Sequence, residues 1–201
     1  MIPNGPEAAA GRTATSFAYD TLRRAGQLVL MGLALSLSTG LARAQTPQEV
    51  VAQYQNKFDY SFDLPDRWQM QPVNKYQVQM SPAADKAKVG IAFTADILHP
   101  VFGTAGFSLE RYWKRVLKGL SGQGYPASTA KRFRGLKLDK QWLSMIVDRP
   151  DGKGKALFVL TKKKDMIFMY TIVFIEHFSE YFDKYKDDIR TIVDNSQIDV
   201  K

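Results

Sequence analysis

The chain contains no cysteine. That absence excludes disulfides, thiol nucleophiles, cysteine-ligated zinc or iron–sulfur centres, and a lipid-modified cysteine at an export signal. Histidine is scarce as well. His99 and His177 lie 78 residues apart, and a triad or metal site would need one of them to meet a serine or carboxylates. His99 precedes Pro100 in a loop, and His177 follows Glu176 between a strand and a helix, so both read as solvated or capping residues. There is no G-x-S-x-G elbow, no G-x-G-x-x-G fingerprint and no phosphate-binding loop. The stretch "DGKGK" (151–155) has glycines and lysines but lacks a following Ser or Thr and a helix, and it reads as a hairpin turn. Asp183, Asp187 and Asp188 alternate with Lys184, Lys186 and Arg190 on one helix. General acid–base work needs two carboxyls converging from separate elements, so these acids read as a solvated face. No catalytic residue, metal ligand or cofactor is expected, and the chain reads as non-enzymatic.

What is present fits a globular protein held together by packing alone. Of 201 residues, 45% are hydrophobic and 24% charged, which is too apolar for a disordered chain. The formal net charge is +8, of which +2 falls in residues 1–44 and +6 in the rest. Such a balance favours acidic partners.

The first segment reads as an address. In "TLRRAGQLVLMGLALSLSTGLARAQ" (21–45), Arg23 and Arg24 precede an apolar run from Leu28 to Ala42. That run is shorter than the roughly 20 residues a spanning helix needs. Ala42-Arg43-Ala44 fits the small-x-small cleavage rule, with cleavage before Gln45. The paired arginines resemble a twin-arginine signal, although Gly26 stands where an apolar residue is usual. Residues 1–44 are therefore expected to be a secretory signal. Residues 45–201 would form one domain in the periplasm, in a thylakoid-type lumen or outside the cell.

The mature chain opens with a short helix, capped by Thr46 with Pro47 at its first position and Glu49 three residues after the cap. In "FDYSFDL", Phe58, Tyr60, Phe62 and Leu64 alternate with polar residues, which predicts a half-buried strand. "PDRW" (65–68) turns the chain. "KYQVQM" predicts a second strand with Tyr76, Val78 and Met80 inward, and "AKVGIAFTADI" a third. Ser108 caps a helix whose Leu109, Tyr112, Trp113, Val116, Leu117 and Leu120 form one apolar stripe. "STAKRFRGLKL" and "KQWLSMIVD" read as paired strands joined at Asp139. "KALFVLT" and "MIFMYTIVFI" (166–175) are apolar on both faces, as central strands are. A last helix, with Ser179 as its cap, carries Tyr181, Phe182, Tyr185, Ile189, Ile192 and Val193. Strands in runs predict an α+β fold with an antiparallel sheet and helices packed on it.

Three basic features stand out. Arg111, Lys114, Arg115 and Lys118 form a stripe opposite the apolar face of the first long helix, offset by Glu110 through an i, i+4 pair with Lys114. Lys131, Arg132 and Arg134 follow early in the next strand. Lys162, Lys163 and Lys164 sit at a hairpin end between two apolar arms. These ten residues are the candidate partner-binding positions, for an acidic protein surface or membrane complex, or for anionic lipid. Nucleic acid is not expected, because export removes the chain from it. The alternative reading is a small-ligand or lipid-binding protein with a pocket between sheet and helix lined by Trp113, Trp142 and Tyr170. A hydrolase or metal enzyme would require His99 or His177 to meet carboxylates.

Three stretches, "YSFDLPDRW" (60–68), "GFSLERYWKRVLKGL" (106–120) and "IRTIVDNSQI" (189–198), resemble the PsbP/DcrB-like family. Its members carry an early aromatic strand ending in an "lP.gW" element, a long helix after a Gly-rich loop, and a C-terminal helix before an "iv.Sf.i" tail. Asp66-Arg67 and Gln197 depart from that pattern. The resemblance spans about residues 55–198. It implies a single domain with a central antiparallel sheet flanked by helices, an α/β/α sandwich. It also implies a monomeric, exported, non-enzymatic accessory protein of a membrane complex, photosystem II being the best-known case.

Overall fold

A computed structural model describes residues 45–138 and 142–201. The expected signal segment and the expected strand junction at Asp139 lie outside the described residues. Thr46 accepts from the Glu49 amide at 3.2 Å while the Glu49 carboxylate takes the Thr46 amide at 2.8 Å. This capping box starts helix α1 (Pro47–Tyr54), with Pro47 in its first turn. Strands β1 (Phe58–Ser61), β2 (Trp68–Asn74), β3 (Gln77–Pro82) and β4 (Val89–Ile97) follow. Ser108 caps helix α2 (Leu109–Ser121) through the Arg111 amide at 3.2 Å. Then come β5 (Lys131–Arg132), β6 (Leu143–Asp148), β7 (Lys155–Lys163), β8 (Met166–Phe174), helix α3 (Phe178–Asp194) and β9 (Gln197–Val200).

Seven strands form one antiparallel sheet in the order β2-β3-β4-β8-β7-β6-β5. The fold is α+β, as the sequence predicts. Every residue of β4 and β8 is buried. Strand alternation sends one set of side chains, including Ile91, Phe93, Phe168, Tyr170 and Ile172, into a core shared with α1, α3 and β1. The other set, including Phe158, Leu160, Ile167 and Met169, meets Tyr112, Trp113 and Leu120 of α2. Each large apolar side chain buried this way contributes about 1.5–3 kcal/mol.

Two strands depart from expectation. β2 was hidden by its glutamines and Pro72, which a central strand would not tolerate. It is an edge strand, where a missing N–H costs no ladder bond. β1 does not join the main sheet. It pairs with β9, Phe58 opposite Val200 and Ser61 opposite Gln197, and the ribbon is closed by the Lys201 amide on the Lys57 carbonyl at 2.7 Å. From there Tyr60 and Phe62 lie 5.0 Å from Phe93, ring centroid to ring centroid. The strand pair expected over 128–148 shrinks to two residues, since Lys131 and Arg132 alone pair with Ile146 and Met145. The last helix starts two residues earlier than expected, with His177 rather than Ser179 at the cap position in a left-handed conformation.

The "PDRW" turn anchors α3. Arg67 grips Asp188 at 2.6 and 2.8 Å, and the Trp68 indole N–H donates to the same carboxylate at 2.7 Å. Trp68 stands edge-on to Tyr185 at 5.8 Å. Asp188 is therefore not part of a solvated face. Burial raises its pKa, the hydrogen bonds from Arg67 and Trp68 outweigh that, and the carboxyl is left below its ordinary value. Among the described residues, no helix is long and apolar enough to cross a membrane.

Asp188→Ala is expected to cost ~2 kcal/mol, or roughly 4–8 °C in melting temperature, because it orphans a buried indole N–H as well as an arginine. A melt within a degree of the parent would contradict this anchoring. At Gly154 an added Cβ would lie 2.0 Å from the Phe174 carbonyl oxygen and 2.4 Å from that of Ile175. Gly154→Ala should therefore destabilise by ~2–4 kcal/mol, read as a shifted urea midpoint.

Candidate functional site

All ten sequence-predicted basic positions are exposed, and the structure sorts them. Helix α2 carries Arg111, Lys114, Arg115 and Lys118 on its outer side, since its inner side holds Tyr112, Trp113 and Leu120. Arg111 lies over the Phe107 ring, 4.4 Å from its centroid. Lys162 reaches the same residue from β7, donating to the Phe107 carbonyl at 2.9 Å. Arg132 comes in from β5 and meets Glu110 at 3.5 Å. Glu110 thus pairs across elements rather than with Lys114, because the edge strand brings a guanidinium to the start of the helix. Arg115 donates to the Phe102 carbonyl at 3.0 Å and ties α2 to the loop before it.

The lysine run does not act as a unit. Period two places Lys162 on the α2 side and Lys163 on the opposite side, where its ammonium reaches the Ile198 carbonyl of β9. Lys164 forms the turn with φ 52°, and its neighbour Asp165 accepts from the Tyr54 hydroxyl. Lys131 pairs opposite Ile146 and so points away from Arg132 along the strand. Arg134 lies beyond β5, in a groove with Trp142. The structure therefore gathers Arg111, Lys114, Arg115, Lys118, Arg132 and Lys162 around α2, and separates Lys131, Arg134, Lys163 and Lys164 from them.

The pocket expected between Trp113, Trp142 and Tyr170 does not form. Trp113 packs on Phe158 at 5.2 Å on the α2 side of the sheet. Trp142 packs edge-on to Tyr170 at 5.7 Å on the α3 side. The sheet stands between them.

The two histidines stand at the starts of helical turns. His99 Nδ1 accepts from the Val101 amide at 3.3 Å and caps the short turn Pro100–Phe102. His177 starts α3, and its neighbour Glu176 pairs with Lys88. Among the described residues, no group of three or more histidines and carboxylates is placed to hold a metal ion.

One titratable group escaped the sequence reading. Asp96, in the otherwise apolar run of β4, is buried and accepts from the Tyr112 hydroxyl. Beside it is a cavity of about 50 Å³ lined by Val51, Ile97, Phe102, Tyr112 and Arg115 among others, with room for a few waters and nothing larger. Burial pushes the Asp96 carboxyl up to about 7, against the pull of the Tyr112 hydrogen bond and the nearby Arg115 charge. The signal that could have found it is a lone acid inside a strand of small and apolar residues.

A carboxyl that titrates near 7 when folded and at 3.8 otherwise holds its proton more tightly in the folded state. Its stabilising contribution is complete below the lower value and is lost as pH rises through about 7. Asp96→Asn is expected to flatten the fall in stability between about pH 5 and pH 8, by an amount on the order of a few kcal/mol. Urea midpoints across that range check it; parallel curves for parent and variant would refute it.

No family model and no curated protein matches the chain. Among solved structures the fold is similar to the solution structure of a cyanobacterial PsbP from Synechocystis. The two share 10% identity with a TM-score of 0.44, over 83% of this chain and 98% of that one. It is also similar to LpqN of Mycobacterium tuberculosis, described as involved in cell envelope biogenesis, at 12% identity and a TM-score of 0.32 over 79% and 99% of the two chains. A protein of Bacteroides thetaiotaomicron is similar at 12% identity and a TM-score of 0.37, over 73% of this chain and 49% of that one. A PsbP thus stands among the solved structures that this fold resembles.

Proposed function

We propose that the chain is an exported, non-enzymatic accessory protein that docks through α2 onto an acidic protein surface of a membrane complex. The observation that carries this reading is the convergence of cations from three separate stretches. Arg111 and Lys162 both meet Phe107, Arg132 bridges to Glu110, and Lys114 and Lys118 extend the same exposed side of the helix. Two of these cations are arginines, whose planar forks match carboxylates in pairs and favour a protein face over a simple counter-charge. Docking by such a surface is steered by long-range attraction and weakened by salt. The same convergence would suit the periplasmic or luminal side of a membrane, where the expected signal segment would deliver the chain.

The test uses the mature chain and membranes from the cells that produce it. Co-sedimentation is expected at about 50 mM salt and release at about 500 mM, as screening lengths shrink. Lys114→Glu with Lys118→Glu should weaken binding about tenfold or more, which is about 1.4 kcal/mol or more. Protease treatment of the membranes should abolish binding. Salt-insensitive binding would overturn the reading. Equal binding to protein-free anionic vesicles would replace the protein partner with lipid.

A further inference from the structure

Beside β5, the residues from 132 to 138 fold back toward β6 and leave an open groove of about 620 Å³. That is the size of a site for a drug-sized molecule. The apolar part of its lining is Phe133, Leu136, Leu138 and Trp142. The charges along it are Arg132, Arg134 and Lys137, with no carboxylate among the described lining residues. Arg132 has Glu110 as its counter-ion, but among the described residues neither Arg134 nor Lys137 meets an acid. Elsewhere on the fold several cations are matched, Arg67 by Asp188, Lys88 by Glu176, Lys184 by Asp85 and Lys155 by Asp148.

A second observation points the same way. The Trp142 indole N–H is buried and meets no hydrogen-bond partner among the described residues. Native structures rarely leave a buried donor unanswered, so such a group is a place where an acceptor belongs. The indole is held in place by its edge-on contact with Tyr170 at 5.7 Å. The opposite wall is held as well. Phe133 stands edge-on to Phe182 at 5.2 Å, and its ring lies over Gly135, where a Cβ would come within 2.5 Å of it. The groove therefore has fixed aromatic side chains, beside two cations that meet no acid among the described residues.

We infer that this groove binds an amphipathic anion, with the acidic head on Arg134, Lys137 and the Trp142 N–H, and the apolar body against Phe133 and Leu138. The charge of the described lining residues disfavours a cation. A bare inorganic anion would leave the apolar walls uncovered. A free acid with an alkyl chain and a single lipid carrying an acidic head group share this chemistry. The inference is independent of docking through α2, because the two sites share only Arg132.

Calorimetric titration of the mature chain with dodecanoate tests it. Saturable binding of one molecule per chain is expected with Kd in about the micromolar range, and inorganic phosphate should bind at least about a hundredfold more weakly. Arg134→Gln with Lys137→Gln should weaken dodecanoate about tenfold or more. Trp142→Phe, with folding checked by its melt, should weaken it several-fold. Lys114→Gln with Lys118→Gln should leave it unchanged, so failure here and failure of membrane docking are separable. Passage over phosphatidylglycerol vesicles distinguishes the sources. One lipid recovered per chain, and lost in the Arg134/Lys137 variant, assigns a lipid; dodecanoate binding without lipid recovery assigns a free acid. Absence of saturable binding, or equal loss in the α2 and groove variants, overturns the inference.

Discussion

The burial of β4 and β8 along their whole length is the constraint from which the rest of the architecture follows. Strands without an exposed face need a layer on each side. One layer is α2. The other is α1, α3 and the β1–β9 ribbon together, and the ribbon contributes the aromatic ladder Phe58, Tyr60 and Phe62. Because both faces of the central strands are committed to packing, the surfaces left open are the outer sides of the helices and the sheet edges at β2 and β5. Both candidate sites are found there.

The layers are joined by acids that hold aromatic hydroxyls and indoles. Asp165 takes the Tyr54 hydroxyl, Asp96 that of Tyr112, Asp85 that of Tyr185 at 2.5 Å, and Asp188 the Trp68 indole. Tyrosine and tryptophan suit this work because each brings a large apolar body and one polar handle that must find a partner when buried. A fold without disulfides thus ties its helices to its sheet at defined points. Of these acids Asp96, the partner of α2, is buried, so it adds no surface charge to offset the cations outside that helix.

Much of this was legible beforehand for stated reasons. The cap residues Thr46 and Ser108, the apolar stripe of α2 and the doubly apolar runs of β7 and β8 are local or periodic signals, and each corresponds to an element in place. The misses have physical causes of another kind. β2 was concealed by Pro72, whose tolerance depends on being at an edge. β9 is four residues long, and its pairing with β1 closes a span of more than a hundred residues. Glu110 could be assigned to Lys114 by helical spacing alone, while its contact with Arg132 depends on where β5 lies. The grouping of Trp113 with Trp142 and Tyr170 failed because residue type carries no information about which side of a sheet a side chain occupies.

By itself, the sequence determined the class of chemistry that is out of reach without cysteine, the type of most elements, and the presence of cations in three separate stretches. Composition, caps and periodicity are properties of neighbours along the chain, so they can be read there. Only the tertiary structure decided which cations stand together. Strand alternation split Lys162 from Lys163, antiparallel pairing brought Arg132 to Glu110, and the fold-back after β5 placed Arg134 and Lys137 beside a buried indole. Those juxtapositions are set by register and by which layer covers which face, and both are settled only when distant segments pack.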